Sequence, residues 1–141
     1  MKILLAVDGS PYTKKMLAYL TTHMEMFASE EHQFTALTVQ PALPPRARAA
    51  LGREAVDSYH ADEAAKVLDP VVKYLSRHDM KVKSTFKVGP AGETIAKFAD
   101  AGKFDLLVMG SHGYGTLGNL VMGSVATKVL ASSGVPVLLV R

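Results

Sequence analysis

The sequence predicts an α/β protein with an open, doubly wound sheet of five parallel strands and helices on both faces. Apolar runs of strand length alternate with segments of helical periodicity, and the connections between them are short. Two runs, 2–7 and 104–109, are almost entirely apolar, as is typical of strands buried on both faces. A chain of 141 residues suits one core, so we expect a single domain over 1–141.

The first half of the chain predicts two strands and the first helix. Strand one covers 2–7, and Ser10 followed by Pro11 is typical of a helix start. Apolar residues then recur at helical spacing as far as Phe27, and 34–39 predicts the second strand.

A proline-rich, basic stretch separates the second strand from a long helix. Residues 41–53 show no clear period and predict a loop, which could be a lid over a ligand or a mobile crossover. An apolar stripe from Val56 to Leu75 predicts the second helix. Pro70 lies within it, so we expect a kink or a break there.

The second half predicts two edge strands. Residues 81–88 alternate, with apolar residues including Val88 on one face and lysines on the other. Residues 135–140 form an apolar strand whose Pro136 cannot donate a ladder hydrogen bond. Between these edges we expect a helix after Pro90 (Ile95, Ala96, Phe98, Ala99), a strand over 104–110 and a helix through Val121, Val125, Val129 and Leu130.

The composition narrows the functional classes. No cysteine is present, which excludes a disulfide framework and a thiolate metal site, and the histidines show no metal-ligand spacing. The apolar runs are too short for a membrane span or a signal peptide. The net charge is +3, and Arg46, Arg48 and Arg53 form only a weak nucleic-acid signal. We therefore expect a cytoplasmic protein without a nucleic-acid or membrane partner.

Two turns should meet at the carboxyl edge of the sheet. The strands 2–7 and 104–109 should be central and adjacent, which brings DGSP (8–11) and GSHGYG (110–115) across one crevice, where open sheets bind ligands. Gly113, Gly115 and Gly118 match G-x-G-x-x-G. This dinucleotide pattern belongs on a first strand with an acid further on, and the chain has neither that placement nor a Walker A string.

The glycines favour a phosphate cradle. Gly110 and Gly113 lie on the turn after strand four, and Gly123-Ser124 opens the last helix, so backbone amides and a helix N-terminus could wrap a polyphosphate. The alternative is that these glycines only permit tight turns and close packing.

The spacing G-x2-G-x9-G-[ST] resembles the nucleotide-binding signature of the universal stress protein family. ILLAVDGS, VGPAGETIAKFA, DLLVMGSHG and SSGVPVLLVR extend the resemblance over the whole chain. It implies ATP binding, with magnesium or manganese as a possible companion, strand order 3-2-1-4-5, and a homodimer through 135–140. The residues that it implies for the nucleotide site are Ala6, Val7, Asp8, Val39, Met109, Gly110, Gly113, Gly123, Ser124 and Val125.

Several single residues have two interpretations. Asp8 could hold ribose or a phosphate-bound metal, or could cap the first helix with Ser10. His112 could contact phosphate or act as a base, although a loop histidine is more often a bystander. Tyr114 and Thr116 depart from the basic residue or glycine that the family often carries, which affects the outer phosphate contacts.

The functional hypothesis is an ATP-binding stress-response protein that acts as a switch, with slow or no hydrolysis. No catalytic residue is predicted, because the motif contains no lysine or arginine. No resident metal site is predicted, because the histidines lack metal-ligand spacing. In this hypothesis ATP orders 41–53 and the glycine turn. The alternative is a nucleotide-free dimeric scaffold paired through its last strand. A phosphorelay receiver fits the strand count but lacks the required acids.

Overall fold

The computed structural model describes residues 1–114 and 121–141, so Gly115, Thr116 and Gly118 lie outside the described residues. The described strands are β1 Lys2–Ala6, β2 Gln33–Gln40, β3 Val82–Val88, β4 Leu106–Gly110 and β5 Val137–Val140. The described helices are α1 Pro11–Thr22, α2 Met24–Phe27, α3 Pro45–Leu51, α4 Arg53–Ser76, α5 Ala91–Ala101 and α6 Ser124–Ser132.

The five strands form one parallel sheet in the order β3-β2-β1-β4-β5, which confirms the predicted topology. At its centre Leu4 lies in register with Thr35 of β2 and Leu107 of β4. The two apolar runs are therefore adjacent, as predicted, and the lysine-bearing and proline-preceded strands are the two edges.

Alternate side chains of β1 enter two separate cores, which is why this strand is apolar throughout its buried length. Ile3 and Leu5 pack on one face with the buried residues of α1 and α4. Leu4 and Ala6 pack on the other face with those of α5 and α6. Burying one such aliphatic side chain contributes roughly 1.5–3 kcal/mol, so both helical layers are held to the sheet by the same strand.

The prediction of a loop over 41–53 was wrong, because Pro45–Leu51 forms helix α3. Pro45 occupies the first helical turn, where its missing N–H costs nothing, and Ala, Arg and Leu are strong helix formers. Gly52 ends the helix with φ of 82°, a left-handed conformation that glycine adopts readily. No side chain of α3 is buried, so local propensity rather than packing explains this helix.

Two helix predictions also need correction at their interiors. The first helix divides at His23, whose Nδ1 lies 2.9 Å from the Tyr19 carbonyl oxygen and satisfies the end of α1. In the second, the predicted break at Pro70 does not occur, because α4 is helical from Arg53 to Ser76; a kink at Pro70 stays a prediction. The buried stripe of α4 packs against the sheet on both sides of the proline, which outweighs one lost hydrogen bond.

One apolar residue was assigned wrongly. Val121 lies before α6, which begins at Ser124, and it is 78% exposed. Val88 lies in β3 at the same parity as Val82 and Phe86, as predicted, and it is exposed at the end of this edge strand. Over 1–114 and 121–141, no helix combines the length and the apolar character that crossing a membrane requires.

Candidate functional site

A cleft of about 290 Å³ opens at the carboxyl edge of the sheet, between the β1 and β4 turns and the first turns of α5 and α6. All ten residues named from the sequence line it, so the structure brings the predicted set together. They are Ala6, Val7, Asp8, Val39, Met109, Gly110, Gly113, Gly123, Ser124 and Val125.

Further lining residues were absent from the predicted set. Ala91 and Ile95 come from the start of α5, one helical turn apart, and Ala126 comes from α6. Thr13, His112 and Tyr114 complete the described lining. Ala91 and Ile95 had a signal in the sequence, because they fall within the VGPAGETI segment that supports the family resemblance.

The turns after β1 and β4 meet through consecutive residues, as predicted. The Tyr114 hydroxyl donates a hydrogen bond of 2.8 Å to the Gly9 carbonyl oxygen. One residue earlier in each turn, a methyl group placed on Gly113 would lie 2.5 Å from Oδ2 of Asp8. Because a real Cβ cannot approach so closely, glycine at 113 is what allows the two turns to touch.

The Asp8 carboxylate is fixed by the start of α1. Its Oδ1 accepts hydrogen bonds from the Ser10 N–H at 2.8 Å and the Thr13 hydroxyl at 2.9 Å. Ser10 occupies the N-cap position without a side-chain capping bond, so the hydroxyl that serves this turn belongs to Thr13. With Oδ1 bonded, Oδ2 is the oxygen that lies against the glycine turn.

The glycines of the motif also serve packing. A methyl group on Gly110 would lie 2.7 Å from Cβ of Tyr12, and one on Gly123 would lie 3.1 Å from Cα of His112. The Gly123 N–H already donates to the Ser111 carbonyl at 2.7 Å. Close packing, the alternative interpretation, therefore accounts for part of the glycine requirement.

The first turn of α6 lines the cleft and brings backbone amide groups to it. The first intrahelical bond is the one that the Thr127 N–H donates to the Gly123 carbonyl at 3.0 Å. The N–H groups of Ser124, Val125 and Ala126 precede it, and all three residues line the cleft. With the positive end of the helix dipole, they suit an anion.

Another part of the cleft is apolar. Val39 lies near the carboxyl end of β2, and Ala91 and Ile95 line the cleft from α5. Val125 and Met109 add to this lining and belong with Val39 and Ile95 to one apolar cluster. An apolar slot beside a cluster of amide donors can hold a flat heterocycle that carries an anionic group.

His112 is held on the outer wall of the cleft. Its Nδ1 lies 2.8 Å from the Ser111 hydroxyl oxygen, and its ring centroid lies 4.9 Å from that of Tyr12. The Lys15 ammonium group lies over the same Tyr12 ring, 4.7 Å from its centroid. The contacts with Ser111 and Tyr12 therefore fix the orientation of the His112 imidazole.

The charges of the described lining are few. Asp8 contributes a carboxylate, and no lysine or arginine lines the cleft within the described ranges. Over 1–114 and 121–141, no three histidine, aspartate or glutamate side chains lie close enough together to bind a metal ion. Away from the cleft, a hydrogen bond from Lys66 to Glu63 raises the pKa of Lys66 on the solvated face of α4.

The fold and this cleft define a class: a doubly wound α/β protein with an amide-rich, glycine-bounded cleft at its topological switch point. This chain belongs to the universal stress protein family, whose sequence model matches residues 1–141.

Relatives support this assignment over the full chain. Universal stress protein Slr1230 of Synechocystis is 31% identical over 140 residues, covering 99% of this chain and 42% of that protein. The chain thus spans less than half of that relative. Universal stress protein MJ0531 of Methanocaldococcus jannaschii is 26% identical over 140 residues, covering 99% and 81%. The solved structure of MJ0577 from that organism has a TM-score of 0.80 at 27% identity, covering 99% and 94%.

Three solved structures of this fold carry nucleotides. A family member from Arabidopsis thaliana has AMP bound, with a TM-score of 0.69, 16% identity and coverage of 99% and 90%. The Archaeoglobus fulgidus protein is in complex with dAMP (0.67, 19%, 100% and 98%), and another is in complex with cAMP (0.65, 19%, 100% and 96%). At these identities the likeness to this chain establishes the fold.

Proposed function

We propose that this protein binds an adenine nucleotide in the cleft and acts as a nucleotide-dependent regulator in the stress response. The observation that carries the proposal is the arrangement of the cleft, with an apolar slot at Val39 and Ile95 and three α6 amides at Ser124–Ala126. The slot suits a base and the amides suit a phosphate. Nucleotide-bound family members support the same ligand class.

The ten lining residues predicted from the sequence are the proposed binding set, and 1–141 is the proposed nucleotide-binding domain. Asp8 would hold the ribose hydroxyls or a divalent cation on the phosphates, since its Oδ2 lies against Gly113 while Oδ1 is bonded within its own turn. ATP is the nucleotide that the motif predicts.

Hydrolysis of ATP would be slow or absent. Phosphoryl transfer needs a positioned water and a charge clamp. The described lining offers no cationic side chain, and His112 is already engaged with Ser111 and Tyr12. We expect a phosphate-release assay to give no signal above that of the Gly113→Ala variant.

The proposed switch connects the cleft to helices α3 and α4. Tyr114 bonds Gly9, and a methyl group on Gly9 would lie 3.5 Å from Val67 of α4. Helix α3 directly precedes α4 in the chain and contacts it. Nucleotide bound to the β4 turn would shift these contacts and alter the exposed surface of 45–53. Hydrogen exchange with and without nucleotide tests this, and binding without changed protection in α3 would contradict the switch.

Binding itself is tested by release and titration. The purified protein is denatured, its supernatant is chromatographed, and emptied protein is titrated with adenine nucleotides and magnesium by calorimetry. Gly113→Ala should lose the heat, because its methyl group meets the Asp8 carboxylate. Gly134→Ala is the matched control, since no atom lies within 4 Å of its added methyl group. Equal titration of both variants would contradict the site.

A second candidate is a nucleotide-free homodimeric scaffold. Strand β5 is an edge, and its Val137, Leu138 and Leu139 are only partly buried. Two copies could pair these edges antiparallel about a two-fold axis. Leu138→Lys should then yield monomers by light scattering. Because both candidates share the dimer, the Gly113→Ala titration distinguishes them: a scaffold has no nucleotide heat to lose.

A further inference from the structure

We propose that Tyr114 makes the cleft selective for adenine nucleotides with a single phosphoryl group, so that AMP binds more tightly than ATP. This inference rests on the proposed nucleotide function and concerns the length of the phosphate chain.

Tyr114 crosses the polar end of the cleft. Its side chain starts on the β4 turn and ends at the Gly9 carbonyl of the β1 turn, 2.8 Å from the hydroxyl. The preceding residue in each turn, Asp8 and Gly113, is also in close approach. Tyr114 lines the cleft and is 71% exposed, so it lies where the cleft meets solvent. The ring therefore forms a wall where a phosphate chain would leave the cleft.

The position of the α6 amides explains why Tyr114 would obstruct a longer phosphate chain. A base between Val39 and Ile95 directs the first phosphoryl group toward Ser124 and its neighbours at the start of α6. Further phosphoryl groups must extend away from the apolar slot, into the polar end. That end is occupied by the Tyr114 ring and the Asp8 carboxylate.

The charges of the cleft lining also favour a ligand with a single phosphoryl group. A phosphate monoester carries about −1.5 to −2 at neutral pH, and a helix N-terminus offers roughly +0.5 together with its amide donors. Each added phosphoryl group brings more negative charge toward Asp8, and the described lining has no lysine or arginine to compensate it. A single phosphoryl group already carries more negative charge than the helix N-terminus offsets, so each further group adds repulsion from Asp8 that no described lining side chain compensates.

The volume of the cleft agrees with a short ligand. At about 290 Å³ it lies just below the ~300–1,000 Å³ that is usual for small-molecule pockets. Removing the Tyr114 ring would open the cleft at one end without touching the apolar slot or the α6 amides.

The test is calorimetric titration of AMP, ADP and ATP, all with magnesium, into the wild type, Tyr114→Phe and Tyr114→Ala. Tyr59→Ala is the control, because Tyr59 is an exposed tyrosine on α4 outside the cleft lining. The wild type and Tyr59→Ala should bind AMP at least about tenfold more tightly than ATP, a difference of about 1.4 kcal/mol.

Tyr114→Ala should bring the two affinities together by strengthening ATP binding while AMP affinity stays nearly constant. Tyr114→Phe keeps the ring but loses the bond to Gly9, so its ratio should lie between those of the wild type and Tyr114→Ala. Thermal melts establish that each variant is folded.

Three outcomes would overturn the inference. Wild type that binds ATP as tightly as AMP contradicts the selectivity, and an unchanged ratio in Tyr114→Ala contradicts the role of the tyrosine. Wild type that binds none of the three nucleotides overturns the proposed function and, with it, the selectivity. These results are distinguishable, since only the last abolishes all binding.

Discussion

The Thr13 hydroxyl and the Asp8 backbone and side chain form a reciprocal pair: Thr13 donates to Oδ1 of Asp8 at 2.9 Å and accepts from the Asp8 N–H at 3.1 Å. Thr13 is buried at the start of α1 and lines the cleft. The pair therefore sets the direction of the carboxylate that faces the glycine turn.

Thr13→Val should loosen this carboxylate. Valine keeps the shape of threonine but leaves the Asp8 N–H without its acceptor, which costs about 1–3 kcal/mol of unfolding free energy. If the cleft binds nucleotide, affinity should fall by about 1 kcal/mol, roughly fivefold. Urea denaturation and calorimetry measure the two effects.

Thr22→Val is the matched control for that change. Thr22 lies at the exposed end of the same helix and donates to the Ala18 carbonyl, away from the cleft. Its substitution should leave nucleotide affinity unchanged. Equal loss of affinity in both variants would show that α1 as a whole, rather than the pair with Asp8, supports the site.

Ser10→Ala should leave stability unchanged or raise it. Ser10 is fully buried, and its Oγ has no hydrogen-bond partner among the described residues. Removing an unsatisfied buried hydroxyl costs nothing, whereas removing a true N-cap costs about 1 kcal/mol. Urea denaturation decides between these values.

Ser29→Ala provides the contrast for Ser10. The Ser29 hydroxyl accepts the Glu31 N–H at 3.2 Å, so its loss removes an existing turn bond. We expect this variant to be the less stable of the two. A loss near 1 kcal/mol for Ser10→Ala would mean that its hydroxyl does cap α1 in solution.

The residues at the start of α1 show why the sequence predicted only part of this site. Ser10 before Pro11 matches a capping pattern, and Thr13 has no pattern of its own. Which hydroxyl reaches Asp8 depends on the side-chain geometry of the folded turn. Sequence periodicity does not contain that information, so Thr13 was missed and Ser10 was overvalued.

The sheet was predictable for a physical reason that the edges illustrate. Apolar composition distinguishes β1, which is buried on both faces, from the lysine-bearing edge strand β3. Because crossover connections between parallel strands are right-handed, few strand orders then remain possible. Helix α3 was missed because the prolines at and before its start and its arginines are typical of a loop, and the helix buries no apolar stripe that periodicity could detect.

Contacts between distant residues lay beyond the sequence. Tyr114 meets Gly9 across 105 positions, and the carbonyl it bonds belongs to a residue with φ of 79°. Only the packing of β1 beside β4 brings these two turns within reach. Sequence reasoning predicted the meeting of the turns and could not predict the bond that joins them.

Gly92→Ala should destabilise the helix pair that walls the cleft. A methyl group on Gly92 would lie 2.6 Å from Cβ of Lys128, so α5 and α6 would have to separate. Such overpacking costs about 1–3 kcal/mol. Gly134→Ala, with open space around it, should change stability by less. Comparable urea midpoints would mean that the two helices move apart without cost.

Pro70→Ala should stabilise the protein. Pro70 is exposed within α4 and supplies no N–H for the carbonyl of Lys66, four residues earlier. Alanine restores that bond and a strong helix former, at the expense of a more flexible unfolded chain, for a net gain of about 2 kcal/mol. Urea denaturation measures the gain, and Ser58→Ala at another exposed site of α4 controls for helix propensity alone. Gains of equal size in the two variants would assign the effect to propensity. No gain in Pro70→Ala would mean that α4 bends at residue 70 and that the Lys66 carbonyl is satisfied by solvent.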